Sequence, residues 1–143
     1  EDKHHPKSVV DGQFSMPFCA AVVLREGGMV WDDYAKHIND ANTLELCKKV
    51  NVSIDQRVED LAPDFMSGTV CIKTKAGEYE TLIKVALGEP ENFMSEKQFR
   101  GKFDGLCAPY LGQEKSSKLA NALMHIEDAN SLRSVMELSQ PSA

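Results

Sequence analysis

Gly12-Gln13-Phe14-Ser15-Met16-Pro17-Phe18-Cys19-Ala20-Ala21-Val22-Val23-Leu24-Arg25-Glu26-Gly27-Gly28 is an apolar helix with both of its ends written into the sequence. Ser15 is read as the N-cap, and Pro17 falls in the first turn, where a missing N–H costs nothing. Phe18, Ala21, Val22 and Leu24 carry the apolar pattern forward, and Gly27-Gly28 ends it. An apolar helix this near the start of the sequence reads as an interior segment, so the expectation is a tail domain of something larger.

Working outward, residues 1–11 are polar, contain the pair His4-His5 and read as a linker or cut end. After the first helix, Trp31 to His37 reads as a short helix. Asn42 followed by Glu45 resembles a capping box ahead of Leu44, Leu46, Cys47 and Val50. Three stretches then alternate: Asn51 to Val58 with Val52 and Ile54, Thr69 to Thr74 with Val70 and Ile72, and Tyr79 to Leu87 with Leu82, Val85 and Leu87. Lys75-Ala76-Gly77-Glu78 holds the glycine that a tight hairpin wants, so the last two strands pair antiparallel.

Ser95 and Gln98 then make a Ser-x-x-Gln capping box for a helix from about Glu96 to Cys107, with Phe99, Phe103, Leu106 and Cys107 on one face. Leu119, Ala122, Leu123 and Ile126 form another apolar stripe. Leu132, Val135 and Met136 form a third, after the break at Asp128-Ala129-Asn130-Ser131. The order of helices, strands, helices, without a βαβ crossover or a repeat, predicts an α+β domain over 12–139: a small antiparallel sheet flanked by helices. Residues 140–143 are expected to fray.

Composition narrows the function. The 143 residues are the size of one domain, so one compact unit is expected, and an apolar share of 42% with 27% charged residues is that of an ordinary globular chain. The longest apolar run, Phe18 to Leu24, is far short of the ~20 residues of a membrane span. A net charge of −6, with 16 cations scattered among 22 carboxylates, argues against nucleic-acid binding. Lys115 and Lys118 read as a solvated helix face. Cys19, Cys47, Cys71 and Cys107 are spaced too widely for a metal knuckle and read as buried free thiols, which places the chain in the cytoplasm or an equally reducing compartment.

No dinucleotide fingerprint, phosphate loop, nucleophile elbow or zincin motif occurs. His37 at a helix end and His125 beside Ile126 are read as structural. His4-His5 lacks a third ligand close in sequence, so no metal or cofactor is assigned. Asp32-Asp33, Glu89-Glu91 and Glu127-Asp128 are read as facing water. Among the aromatics Trp31, Tyr34, Phe93, Phe99, Phe103 and Tyr110, the i, i+4 pair Phe99 and Phe103 is expected in the core.

Gly12-Gln13-Phe14-Ser15-Met16-Pro17-Phe18-Cys19-Ala20-Ala21 resembles the segment that opens the second domain of the MmgE/PrpD (2-methylcitrate dehydratase) superfamily. Gly88-Glu89-Pro90-Glu91-Asn92-Phe93-Met94-Ser95, followed by Phe99 and Lys102-Phe103, is similar to that family's Gly-x-Pro-x-Asn-Pro-(Leu/Met)-Ser stretch. Here Phe93 stands where the family usually has Pro. The resemblance implies an α+β lid domain that closes a substrate cleft over a large helical domain, on the same or a separate chain. It also implies cofactor-free, often dimeric enzymes that dehydrate, decarboxylate or isomerise small polycarboxylic acids. Most acid, base and carboxylate-holding groups then belong to the helical domain. This chain would contribute Gln13, Ser15 and Phe18 to substrate binding, supply no catalytic residue, and be inactive alone. Phe18 matches a tyrosine of the decarboxylase branch, and a phenyl ring cannot donate that hydroxyl's hydrogen bond.

Two other functions compete. A stand-alone, non-catalytic binding or interaction module with the same fold fits the lack of a catalytic constellation. A thiol enzyme built on Cys19 or Cys107 would need a reactive, accessible thiolate.

Overall fold

The chain folds, in this computed structural model, into α1 (Val9–Gln13), α2 (Met16–Glu26), α3 (Trp31–His37), α4 (Ala41–Cys47), α5 (Gln56–Glu59), β1 (Gly68–Thr74), β2 (Gly77–Ile83), α6 (Glu96–Leu111), α7 (Gln113–Met124) and α8 (Leu132–Leu138). The structure describes residues 2–141. Glu1 of the expected linker, and Ser142 and Ala143 of the expected frayed end, lie outside the described residues. Among the described residues, eight α-helices and one two-stranded antiparallel sheet give the expected α+β class. No described helix is long and apolar enough to cross a membrane. Contacts divide the chain into two units, one made of the stretches up to Val50 and from Glu96 onward, the other of Asn51–Ser95.

The helical unit is organised by α2. Ser15 Oγ accepts from the Phe18 N–H at 3.1 Å, Pro17 lies in the first turn, and Gly27 closes the helix in the left-handed region at φ 77°. Phe18, Ala21 and Val22, at i, i+3 and i+4, turn one face of α2 inward against Ile38 and Cys47. Met29, Tyr34 and Leu46 close the edge of this core. Phe18 stacks on Tyr34 with ring centroids 6.1 Å apart. Gly12 is required beneath them, because a Cβ there would come within 3.2 Å of both rings.

The sequence placed the start of α4 two residues late. Asp40, not Asn42, is its cap, and its carboxylate accepts from the Thr43 N–H at 2.8 Å. In the C-terminal part of the unit the predicted stripes are rotated. Ser116, Leu119 and Ala120 form the buried face of α7, and Leu123 and Ile126 are exposed. Val135 is buried on α8, whereas Leu132 and Met136 face solvent. The α6 helix runs to Leu111, past the expected end at Cys107, and buries none of its residues. Phe99 is exposed, against the expectation of a core pair with Phe103. Polar bonds link α6 to α7: Arg100 donates to Asn121 Oδ1 at 3.0 Å, and Ser116 Oγ donates to Asp104 at 3.3 Å.

In the second unit, β1 and β2 pair in antiparallel register from Gly68 opposite Ile83 to Thr74 opposite Gly77, with Lys75-Ala76 as the turn. The strand expected over Asn51 to Val58 does not form. Asp55 caps α5 there by accepting from the Arg57 N–H at 3.0 Å, and Val52 and Ile54 are left exposed without a partner strand. The second strand ends at Ile83 instead of Leu87, because β1 begins at Gly68 and offers no pairing beyond it. Arg57 ties α5 to the sheet through Glu80 at 2.7 Å. Cys71 lies exposed on β1 instead of buried, since a two-stranded sheet leaves both faces open.

Phe18→Ala is expected to destabilise the protein by about 3–5 kcal/mol through the cavity it leaves, and Gly12→Val by about 1–3 kcal/mol through overpacking. Gly28→Ala, where an added methyl meets nothing within 4 Å, should stay within about 0.5 kcal/mol. Urea unfolding followed by circular dichroism checks all three.

Candidate functional site

Two places in the helical unit gather polar groups. The first lies where the chain enters α1 and α2. His4 Nε2 contacts the Val50 carbonyl at 3.0 Å, and Ser15 Oγ donates to the Lys3 carbonyl, so the stretch before α1 is tied down at two points. Asp2, Lys3, His5, Pro6, Lys7 and Asp11 line a cavity of about 230 Å³ there. Hydrogen bonds with Ser8 and the Lys7 N–H hold the Asp11 carboxyl below its ordinary value. The cavity therefore combines two lysines and an imidazole with two carboxylates, a lining able to take an anionic group through its cationic side.

The three residues expected to bind substrate occupy different environments. Gln13, the last residue of α1, is exposed two positions beyond Asp11. Ser15 is buried, and its hydroxyl is committed to Lys3 and Phe18. Phe18 has no exposed surface at all. Of the three, Gln13 alone presents its side chain to solvent.

The second place is a chain of polar contacts across α2, α3 and α4. Arg25 contacts both Asp40 and Thr43. Thr43 Oγ1 donates to Asp40 Oδ1 at 2.9 Å and lies 2.8 Å from His37 Nδ1. On its other side, His37 Nε2 stands 3.0 Å from Glu26 Oε1, which Lys36 also reaches at 2.9 Å. Asp33 completes the group and is nearly buried, contrary to the expectation of a water-facing carboxylate. The reason is local, since it accepts from the Val30 N–H at 2.8 Å at the start of α3. Glu26, Asp33 and His37 are donors of the kind that hold a metal ion, with ligand atoms within 4.8 Å of one another.

Sequence reasoning took His37 singly and missed Arg25, Asp40 and Thr43. The signal was the spacing Asp40-x-x-Thr43, which pairs a cap with the hydroxyl three residues on. The Asp40 carboxyl is lowered from 3.8 to about 2, first by the Thr43 N–H and hydroxyl and then by Arg25. The Lys36 ammonium holds the Glu26 carboxyl below its ordinary value.

Cys19, Cys47 and Cys71 are all held towards the neutral thiol. Burial pushes Cys19 and Cys47 up from 9.0, and the neighbouring Glu78 carboxylate does the same to Cys71. The aromatic residues are divided. Tyr34 packs between Phe18 and Trp31, whereas Trp31 and Tyr110 line a shallow cleft with Leu106 and Pro109.

The sign of the Asp40 contribution follows from its depressed value. Its stabilisation is whole above pH 3.8 and is lost as the pH falls through about 2. Asp40→Asn is therefore expected to melt below the wild type at neutral pH, with the gap closing between pH 4 and pH 2. Melting curves of the two proteins across that range provide the check.

The MmgE/PrpD C-terminal domain family model matches residues 1–128. No curated protein and no solved structure matches the chain. The matched span runs through the entry cavity, the polar chain of α2 to α4, the hairpin, α6 and α7. With that much of its length matched, the chain belongs to the MmgE/PrpD family, as a C-terminal domain of that family.

Proposed function

We propose that this domain is the lid of a 2-methylcitrate dehydratase-like enzyme that dehydrates or isomerises small polycarboxylic acids. It closes the substrate cleft against a helical domain that carries the proton-transfer groups. The observation that carries this reading is the open hairpin unit. None of residues 51–95 is buried, and Val70, Tyr79, Leu82 and Ile83 leave apolar surface on the sheet exposed. A two-stranded sheet is marginal alone in water and needs a layer against it. In the helical unit, Phe14 and Met16 are also exposed beside the entry to α2 and present apolar surface of their own.

In this arrangement the lid supplies shape and excludes water, and acid–base chemistry falls to the opposite wall. Gln13 contributes a hydrogen bond to a substrate carboxylate, and Lys3 and Lys7 add positive charge nearby. Ser15 and Phe18 act from beneath: one fixes the start of α2, the other fills the floor under it. Phe18 offers no hydroxyl to a reacting group, which favours dehydration or isomerisation over decarboxylation.

The test is reconstitution with a helical MmgE/PrpD domain taken from the same or an adjacent reading frame. Turnover of a citrate-like acid is expected only when both parts are present. The amides of Gly68–Ile83 should become protected from hydrogen exchange on mixing. Gln13→Ala should then raise KM roughly tenfold or more, the loss of a hydrogen bond to a charged group being about 1.5–3 kcal/mol. Turnover by this chain alone would overturn the assignment. Unchanged exchange in the presence of the helical domain would point instead to the stand-alone module.

A further inference from the structure

Thr43 determines how the proton on His37 must be arranged. A hydroxyl has one proton and two acceptor sites. The Thr43 proton goes to Asp40 Oδ1 at 2.9 Å, and the Arg25 guanidinium donates to its oxygen. The remaining acceptor site faces His37 Nδ1 at 2.8 Å, so Nδ1 carries the hydrogen and donates. In neutral imidazole the lone pair then sits on Nε2.

That nitrogen is buried and makes no hydrogen bond. It lies 3.0 Å from Glu26 Oε1, out of line for one. A lone pair and a carboxylate oxygen held this close repel, and Lys36 meets that oxygen from the solvent side without reaching the buried nitrogen, so a cation between the two would relieve them. Asp33, one turn before His37 on the same face of α3, brings a third donor into the group. An imidazole whose far nitrogen is held by an outer partner while the near one faces carboxylates has the orientation of a metal ligand.

We infer that Glu26, Asp33 and His37 form a three-ligand site for a zinc-like divalent cation, which pins the C-terminal end of α2 to α3. One nitrogen and two carboxylate donors suit such a cation, with water in the fourth position. Magnesium and calcium favour all-oxygen sets. Lys36, which shares Glu26 Oε1 and is more than half exposed, swings into solvent when the ion enters. The other convergent group, His125, Glu127 and Asp128, is exposed along one turn and has no buried nitrogen aimed into it.

Calorimetric titration of the metal-free protein with zinc chloride, and absorption spectra with cobalt, test the site. One equivalent is expected to bind and raise the melting temperature. The cobalt spectrum should lack a thiolate charge-transfer band. Glu26→Gln, at an exposed position, should weaken binding at least tenfold and Asp33→Asn similarly. His125→Ala and His4→Ala should leave it unchanged. Absence of stoichiometric binding, a thiolate band, full affinity in Glu26→Gln, or loss of binding in His125→Ala or His4→Ala would each overturn the assignment.

Discussion

The seating of Phe18 over Gly12 and against Tyr34 is the contact on which the helical unit depends. One aromatic ring closes the space between α1, α2 and α3, with burial of a phenyl side chain contributing about 1.5–3 kcal/mol. That burial is possible only because Ser15 starts α2 at the right residue. A cap one position away would rotate the apolar face by about 100° and point Phe18 elsewhere. The same Ser15 hydroxyl reaches the Lys3 carbonyl, so the cap that orients the core also secures the entry stretch lining the charged cavity.

Around this core the polar groups are arranged by satisfaction of hydrogen bonds, not by exposure. Asp40, Thr43 and Arg25 hold α2 and α4 together through shared hydrogen bonds. The chain of contacts then continues inward to His37, where it stops at a nitrogen without a hydrogen-bonding partner. Buried polar groups are normally paired, and this unpaired nitrogen, with two carboxylates around it, is the observation behind the proposed cation site. The contrast with the thiols is instructive. Cys19 and Cys47 are ordinary apolar filling, raised in pKa by burial and unsuited to chemistry.

The hairpin unit follows a different economy. Its strands are held by a full antiparallel ladder, and Arg57 anchors α5 to Glu80, but none of its residues is buried. Backbone pairing defines its shape without supplying a hydrophobic layer. A domain of this family whose sheet carries apolar residues on open faces is built to be completed from outside. Its local order is sufficient to present a surface, and covering that surface would add stability.

Much of this could be read from the residues alone, wherever the deciding interaction is local. Ser15, Pro17 and Gly27 bound α2 within a few residues of one another, and the turn at Lys75-Ala76 lies between its own strands. The family segments at 12–21 and 88–95 likewise sit in the open sequence, which is why the resemblance and the family match agree. What tertiary structure decided was every question of partnership. The alternation at Val52 and Ile54 needed a neighbouring strand that does not exist, and the Phe99 stripe needed a covering element to count as core. His37 is ordinary by sequence and distinctive only when Thr43, Glu26 and Asp33 converge on it from three helices. Helix caps and hairpin turns act over three or four residues, so the linear order contains them; burial and proton placement depend on groups brought together by folding, and only the folded chain determines them.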